Sequence, residues 1–230
     1  MIIAIDGPAG AGKSTTARAV AKHFGFAYID TGAMYRAVAL AAYEANLDAS
    51  DGEAISELAR DLPISLREDG QSTFIAERDV SNEIRTPEIG ALASRIAALA
   101  EVRSVMVEAQ RRLARSGEAH SGGAVLEGRD IQTVVFPDAE VKIFLSAEAS
   151  TRATRRVAQW SEQGQNADVE ETQRALIERD ARDSQRDTAP LHAAPDAIEI
   201  ATDHLSTAEI VEHIAQIVRE ISARRDHVKL

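Results

Sequence analysis

Gly7-Pro8-Ala9-Gly10-Ala11-Gly12-Lys13-Ser14 matches the pattern G-x-x-x-x-G-K-[ST] at every fixed position. Its flanks decide how it is read. Before it, residues 2–5 (Ile-Ile-Ala-Ile) form a continuous apolar run, the mark of a strand buried on both faces. After it, residues 13–24 place Ala17, Val20, Ala21 and Phe24 on one helical face. A glycine-rich loop between a buried strand and a helix start suits phosphate. Glycines let the backbone wrap so that successive N–H groups point inward. The helix end adds partial positive charge. Lys13 brings a full charge to the β- and γ-phosphates, and Ser14 offers a hydroxyl to Mg²⁺. The candidate ATP-binding residues are therefore Gly7, Pro8, Ala9, Gly10, Ala11, Gly12, Lys13, Ser14 and Thr15, with Ser14 the metal ligand.

Outward from this loop, short apolar runs alternate with longer amphipathic stretches. Residues 27–29, 125–126, 141–145 and 197–200 read as four further buried strands. Residues 33–45 read as a second helix. A last helix opens on the capping box Ser206-Thr207-Ala208-Glu209 and runs to about residue 225. Strands separated by helices require crossover connections. The expected fold class is α/β, a P-loop NTPase fold: a five-stranded parallel sheet flanked by helices. Two regions interrupt the alternation. Residues 64–75 (ISLREDGQSTFI) read as a hairpin turning at Glu68-Asp69-Gly70, within a small insert over about 62–85. Residues 150–186 are helical, highly charged, poor in large apolar side chains and broken at 164–168. That pattern suits a mobile lid.

The chain has 230 residues, room for one sizeable core with inserted subdomains. Acidic residues outnumber basic ones by 37 to 26, for a net charge of −11. Such a surface does not attract a nucleic-acid polymer or an anionic membrane, so charge for an anionic substrate must be concentrated locally. There is no cysteine, which excludes disulfides and thiolate metal sites. No apolar run approaches the ~18 residues of a membrane span. MIIAID lacks the charged start and longer apolar core of a secretion signal. The expectation is a cytoplasmic protein, and a monomer, since no long apolar surface stripe demands a partner.

The acceptor side is read from strand ends. In a doubly wound sheet, ligands bind beyond the carboxyl ends of the strands. Asp30-Thr31-Gly32-Ala33-Met34-Tyr35-Arg36 follows the second strand, so Asp30, Thr31 and Arg36 should share the crevice of the phosphate loop. Arg36 can clamp an anionic oxygen bidentately. The same residues also read as a helix cap with a surface arginine one turn in. Glu127-Gly128-Arg129-Asp130 follows the third strand. Arg129 suits phosphate and Asp130 can accept from an exocyclic amine; the bland alternative is an Arg–Asp pair in a turn. The lid holds Arg152, Arg155, Arg156, Arg174, Arg179, Arg182 and Arg186. Arg152, Arg155 and Arg156 share one helix face by spacing, and Arg179, Asp183 and Arg186 another. Such faces make sense closing over a transferring phosphoryl group. Arg174 and Arg182 are equally explained as members of i,i+4 salt bridges. The third strand ends in Glu127-Gly-Arg-Asp rather than a Walker-B aspartate, and no Asn-Lys-x-Asp motif is present. Both absences weigh against GTPases and motor ATPases.

IDGPAGAGKS (5–14), DTGAMYR (30–36), DVSNEIRT (79–86), EGRDIQTVVFPDAEVKIFL (127–145) and RDARDSQR (179–186) followed by Ala189-Pro190-Leu191 together resemble the bacterial cytidylate kinases, across essentially the whole chain. The resemblance implies phosphoryl transfer from ATP, with Mg²⁺, to CMP or dCMP. It implies a core of about 1–36, 87–149 and 187–230, a nucleoside-monophosphate-binding region of about 37–86 and a lid of about 150–186. It implies Ser94, Arg103 and Asp130 as cytosine readers, and Thr31, Asp183 and Arg179 near base and sugar. Arg36, Arg129 and Arg186 become clamps on the acceptor phosphate. Lys13, Arg155, Arg156 and Arg179 become the catalytic charges. One position departs: the family usually has Gly after GRDI, where this chain has Gln132. If that position needs a positive φ or a close approach, Gln shifts the loop; it also brings a new amide toward the acceptor site.

Two other functions remain open on sequence alone: a P-loop kinase for UMP or another small acceptor, and a nucleotide-binding regulator without turnover. The arginine-rich lid weighs against the regulator, because binding alone needs no transition-state charges. Lys13→Ala separates catalysis from mere folding. It should cost turnover at least ~10²-fold while the melting curve stays cooperative. Wild-type rates in that variant would overturn the phosphate-loop assignment.

Overall fold

The computed structural model describes residues 1–228 except 68, 69, 71, 163 and 165, with side chains described through residue 223. The chain runs β1 (Ile2–Asp6), α1 (Lys13–Phe24), β2 (Ala27–Asp30), α2 (Thr31–Glu44), α3 (Gly52–Asp61), β3 (Ile64–Leu66), β4 (Thr73–Ile75), β5 (Arg78–Asp79), α4 (Pro87–Ile96), α5 (Ala100–Ser121), β6 (Ala124–Gly128), β7 (Val141–Ser146), α6 (Ala149–Glu162), α7 (Val169–Gln185), β8 (Ile198–Ala201) and α8 (Thr207–Val228). A 3₁₀ turn at Glu83–Arg85 and a π-helical turn at Ile131–Val135 join these elements.

Five strands form one parallel sheet in the order β2-β6-β1-β7-β8. β1 is central because its apolar run serves both faces. Ile2 and Ala4 enter a core built with α2 to α5, while Ile3 and Ile5 enter a second core with α1 and α8. The period of two along a strand makes this division. Ile3, Ile5, Leu126, Ile143 and Leu145 are fully buried. At ~1.5–3 kcal/mol for each large aliphatic removed from water, this double-sided strand set dominates the fold's stability. Since all five strands are parallel, the loops after β1, β2 and β6 open at one edge, and the candidate site lies there.

The expected P-loop α/β fold is the observed one, with local corrections. α2 starts two residues earlier than expected, because Asp30 caps it by accepting from the Ala33 amide at 2.7 Å. β6 is five residues rather than two, taking in Glu127 and Gly128. β8 is shifted by one, with Ala201 paired to Ser146. α8 extends to Val228, past the expected end, and its capping box forms with Glu209 N bonded to Ser206 Oγ and Ser206 N to Glu209 Oε2. The expected hairpin is a three-stranded antiparallel sheet, β3-β4-β5. Of its expected turn, Glu68 and Asp69 lie outside the described residues; Gly70 has a φ of 65°. The charged stretch forms two packed arms, α6 and α7.

Gly7 is the tightest point of the frame. Its φ is +147°, and a Cβ added there would sit 2.1 Å from the Leu145 carbonyl oxygen, on the backbone of β7. Neither can relax without moving a central strand. Gly7→Ala should therefore destabilise the fold by at least ~3 kcal/mol, lowering the melting temperature by roughly 6–12 °C. A melt within 2 °C of wild type, read by calorimetry, would contradict this packing.

Candidate active site

The phosphate loop winds through positive φ at Gly7, Gly10 and Gly12, and α1 begins at Lys13 with its amides facing the loop. Lys13 is buried, and Nζ donates to the Pro8 carbonyl at 2.8 Å. Burial first, then Arg129 and Arg179, pull its pKa down to about 7, against the pull of Glu127 and Asp6. Glu127 on β6 is buried too. Burial and then Asp30 push its carboxyl up, opposed by Lys13 and by hydrogen bonds from Ser14 and Tyr28, the latter at 2.9 Å. β6 thus carries an acid against the phosphate-loop serine, a residue that the reading of the strand end as lacking a Walker-B group passed over. The signal was present: a charged residue inside the apolar run Ala-Val-Leu-Glu.

Thr31 lies at the start of α2. Its hydroxyl donates to the Glu127 carbonyl at 2.6 Å, fastening α2 to β6. Arg36, one turn further, is 3.7 Å from Asp30, and its Nε is buried without a hydrogen-bond partner among the described residues. Arg129 and Asp130 do not pair with each other. Arg129 Nε donates to Asp183 of α7 at 2.9 Å, and Asp130 receives Arg103 of α5 in a buried ion pair. The turn reading of an Arg–Asp pair is thereby replaced: the chain bends after β6, and each residue finds a partner far away in sequence, on α7 for Arg129 and on α5 for Asp130. Arg103 also donates to the Ala97 carbonyl at 3.2 Å. Ser94 on α4 is half-buried. Arg103 is buried because α5 turns this face toward β6 and α2.

The lid arginines diverge. Arg152, Arg155 and Arg156 share a face by spacing but reach three places. Arg152 is buried, donating to the Ala9 carbonyl at 2.9 Å and pairing with Asp180 at 2.6 Å, so it ties both arms to the phosphate loop. Arg155 donates to Thr202, through Nη1 to Oγ1 at 3.0 Å and Nη2 to the carbonyl at 2.6 Å. The structure does not bring it to the other cations. Arg156 does face them: burial, Arg36 and Arg129 lower its pKa, and its guanidinium lies over the Trp160 ring at 5.4 Å. The expected common face fails because arginine side chains span more distance than one helix turn, and α6 packs between loops on different sides. Arg179 sits deeper. Burial and then Arg129 pull it down to about 10, with Arg36 and Arg156 adding and Asp183 opposing. Arg186 is lowered by burial and Arg103, and bonds the Ala189 carbonyl. Arg174 and Arg182 are exposed, and the i,i+4 salt bridges expected of them do not form among the described residues.

Lys13, Arg36, Arg129, Arg156 and Arg179 therefore act on one another in one crevice. Among the described residues no three His, Cys, Asp or Glu are grouped to hold a metal by themselves. Cations gathered beside a phosphate loop, facing a turn that presents a buried Arg–Asp pair, define a phosphotransferase of the P-loop class acting on a phosphorylated acceptor. A profile of the cytidylate kinases matches residues 3–220. The chain is 45% identical over 228 residues to a cytidylate kinase of Geobacter sp. (strain M21), covering 98% of this chain and 96% of that one. It is 47% identical over 217 residues to a cytidylate kinase of Exiguobacterium sibiricum, covering 94% and 95%. The chain belongs to the cytidylate kinase family.

The lowered pKa of Lys13 has a measurable consequence. At pH 8 the empty crevice holds Lys13 mostly neutral; arriving phosphates favour its charged form and raise its pKa. ATP binding should take up close to one proton at that pH, and none in Lys13→Met. Calorimetry in buffers of differing ionisation enthalpy reads this directly. Proton release, or equal uptake in both proteins, would contradict the electrostatics described.

Proposed function

We propose that this crevice transfers the γ-phosphoryl group of ATP in line to the phosphate of CMP or dCMP, giving CDP or dCDP. The observation that carries the reading is the convergence of Lys13, Arg36, Arg129, Arg156 and Arg179 on one volume between the phosphate loop and the acceptor turn. The loop amides and Lys13 hold the β- and γ-phosphates. Arg36 and Arg129 hold the acceptor phosphate, with Arg186 beside them. Arg156 and Arg179 neutralise charge that spreads over the transferring oxygens. Mg²⁺ fits Ser14, whose side chain faces Glu127, because this cation takes few protein ligands and completes its shell with phosphates and water. When bound it neutralises phosphate charge. Arg155, held by Thr202, is read as supporting the phosphate-loop side instead, since Thr202 Oγ1 also donates to the Ala11 carbonyl at 3.3 Å.

Arg103, Asp130 and Ser94 are read as the base-recognising set, and Asp183 and Thr31 as lying close to the sugar. Insert and lid, over about 37–86 and 150–186, are read as the regions that close on acceptor and donor. Among the described residues no helix is long and apolar enough to cross a membrane. A cytoplasmic monomer is the working reading. A coupled assay with ATP and a panel of monophosphates tests the whole: CMP and dCMP should be turned over far faster than UMP, and no turnover with any acceptor would leave a nucleotide-binding regulator.

Asp130 should carry much of the choice of cytosine over uracil. An ionised carboxylate only accepts, and cytosine presents an amine where uracil presents a carbonyl. Asp130→Asn should lose about 1.5–3 kcal/mol with CMP, roughly ten- to a hundred-fold in kcat/KM, and narrow the gap to UMP. Melting must be checked first, because the mutation also weakens the Arg103 pair. Equal losses with CMP and UMP would make Asp130 a structural partner of Arg103 and end the base-reading role.

A further inference from the structure

Gln132, where the resemblance predicts the family's Gly, is the second residue of the π-helical turn that follows Asp130. Its φ is not positive, so the position makes no demand for glycine, and the side chain is fully buried. It meets three parts of the molecule. Its backbone amide donates to Asp6 Oδ2 at 2.9 Å, at the root of the phosphate loop. Its side-chain Oε1 accepts from the Ala194 amide at 3.2 Å, in the segment returning from the lid. Its own turn carries Asp130, whose carbonyl accepts from Val134 at 2.9 Å. The remaining end of the side chain faces the Asp6 carboxylate closely enough to favour its ionised form. The two stop short of hydrogen-bond geometry: Gln132 Nε2 and Asp6 Oδ1 are both buried without a partner among the described residues.

We propose that Gln132 is a positioning residue for phosphoryl transfer, its amide setting the spacing between the phosphate-loop root, the acceptor turn and the segment returning from the lid. The bridge is cheap to make and costly to break. A buried amide has no other partner to turn to, and a buried carboxylate that loses a facing donor is left less solvated. Asp6 is the group through which the effect reaches the chemistry. Burial, with Asp130 adding, raises it to about 6, against the amides of Gln132 and Ile131 and the Gln132 side chain. Ionised Asp6 in turn favours the charged form of Lys13 from the other side. Removing the Gln132 donor raises Asp6 further, and charge is lost beside Lys13 at a higher pH.

The kinetic arm of the test rests on the CMP kinase reading; a second arm does not. Gln132→Leu keeps the volume and loses both hydrogen-bonding ends. Gln132→Glu keeps the acceptor for Ala194 and replaces the donor with a second carboxyl. Turnover of CMP by the unaltered chain is measured first, and its absence would sink the kinase reading alone. In Gln132→Leu, kcat with CMP should fall roughly five-fold, the cost of the neutral hydrogen bond lost at Ala194, with KM for ATP within two-fold. The acid limb of the pH–rate profile should move up by at least half a unit. Carboxyl NMR, which needs no turnover, should show Asp6 titrating higher in both variants, and more so in Gln132→Glu. Hydrogen exchange at the Ala194 amide should speed up in Gln132→Leu and stay slow in Gln132→Glu. If Gln132→Leu does not fold, Gln132→Glu still decides through the Asp6 titration. An Asp6 titration that superposes on wild type, or a loss of rate with an unmoved pH limb, overturns the proposal.

Discussion

Like charges held together with only part of their charge balanced govern this molecule. Two unit charges ~6 Å apart repel by about 3 kcal/mol at an effective dielectric of ~20, and five cations share the crevice. Asp183 and Asp30 offset part of this at Arg129 and Arg36. The remainder shows in the lowered pKa values of Lys13, Arg156 and Arg179. Such a cluster persists only on a frame that cannot yield. The central sheet supplies it, with buried strands on both sides of β1 and the Leu145 carbonyl seated against Gly7. The strain of assembling cations is thus met by hydrophobic burial elsewhere, and phosphates relieve it on arrival.

The anchoring of α6 and α7 follows from the same constraint. α6 and α7 bury few apolar side chains; the small cluster of Ala9, Ala153 and Leu176 joins them to the phosphate loop. Buried polar ties do the rest: Arg152 bonds the Ala9 carbonyl and Asp180 together, Arg155 of α6 holds Thr202, and Asp183 of α7 holds Arg129. Two cations of the crevice, Arg156 and Arg179, ride on arms fastened this lightly. Their position relative to Lys13 is set where the two arms meet the phosphate loop, not at their far ends.

What could be read from sequence divides by distance along the chain. The phosphate loop was legible because its chemistry needs contiguous residues at fixed spacing, and the alternation of strands and helices gave the fold class. Asp30 as a cap, and with it the true start of α2, was legible in principle, since the signal is local. Arg103 was not. Whether a polar helix residue is buried depends on what α5 packs against, and only resemblance pointed to it. The partners of Arg129 and Asp130 lie 54 and 27 residues away, so adjacency suggested a pairing that the fold does not make. The arginines of α6 failed differently: spacing describes where side chains start, and long ones end elsewhere. Gln132 was visible as an exception but not as a bridge, because Ala194 is 62 residues away.

The two edges of the main sheet are its two shortest strands, β2 and β8, four residues each. An edge strand exposes unpaired backbone donors and acceptors, a template on which another chain can add. Four residues offer too few hydrogen bonds to hold such an addition. On β8, Glu199 interrupts an otherwise aliphatic run whose Ile198 is partly exposed. On β2, Tyr28 is overlaid by the small antiparallel sheet, with Gly70 against its ring. A parallel sheet is slow to assemble, because each strand waits for a distant partner. Keeping the long sticky strands in the middle and the short ones outside limits what an unfinished chain can offer to its neighbours, so crowding and slow folding carry less risk of aggregation here than the apolar content of β1 and β6 alone would imply.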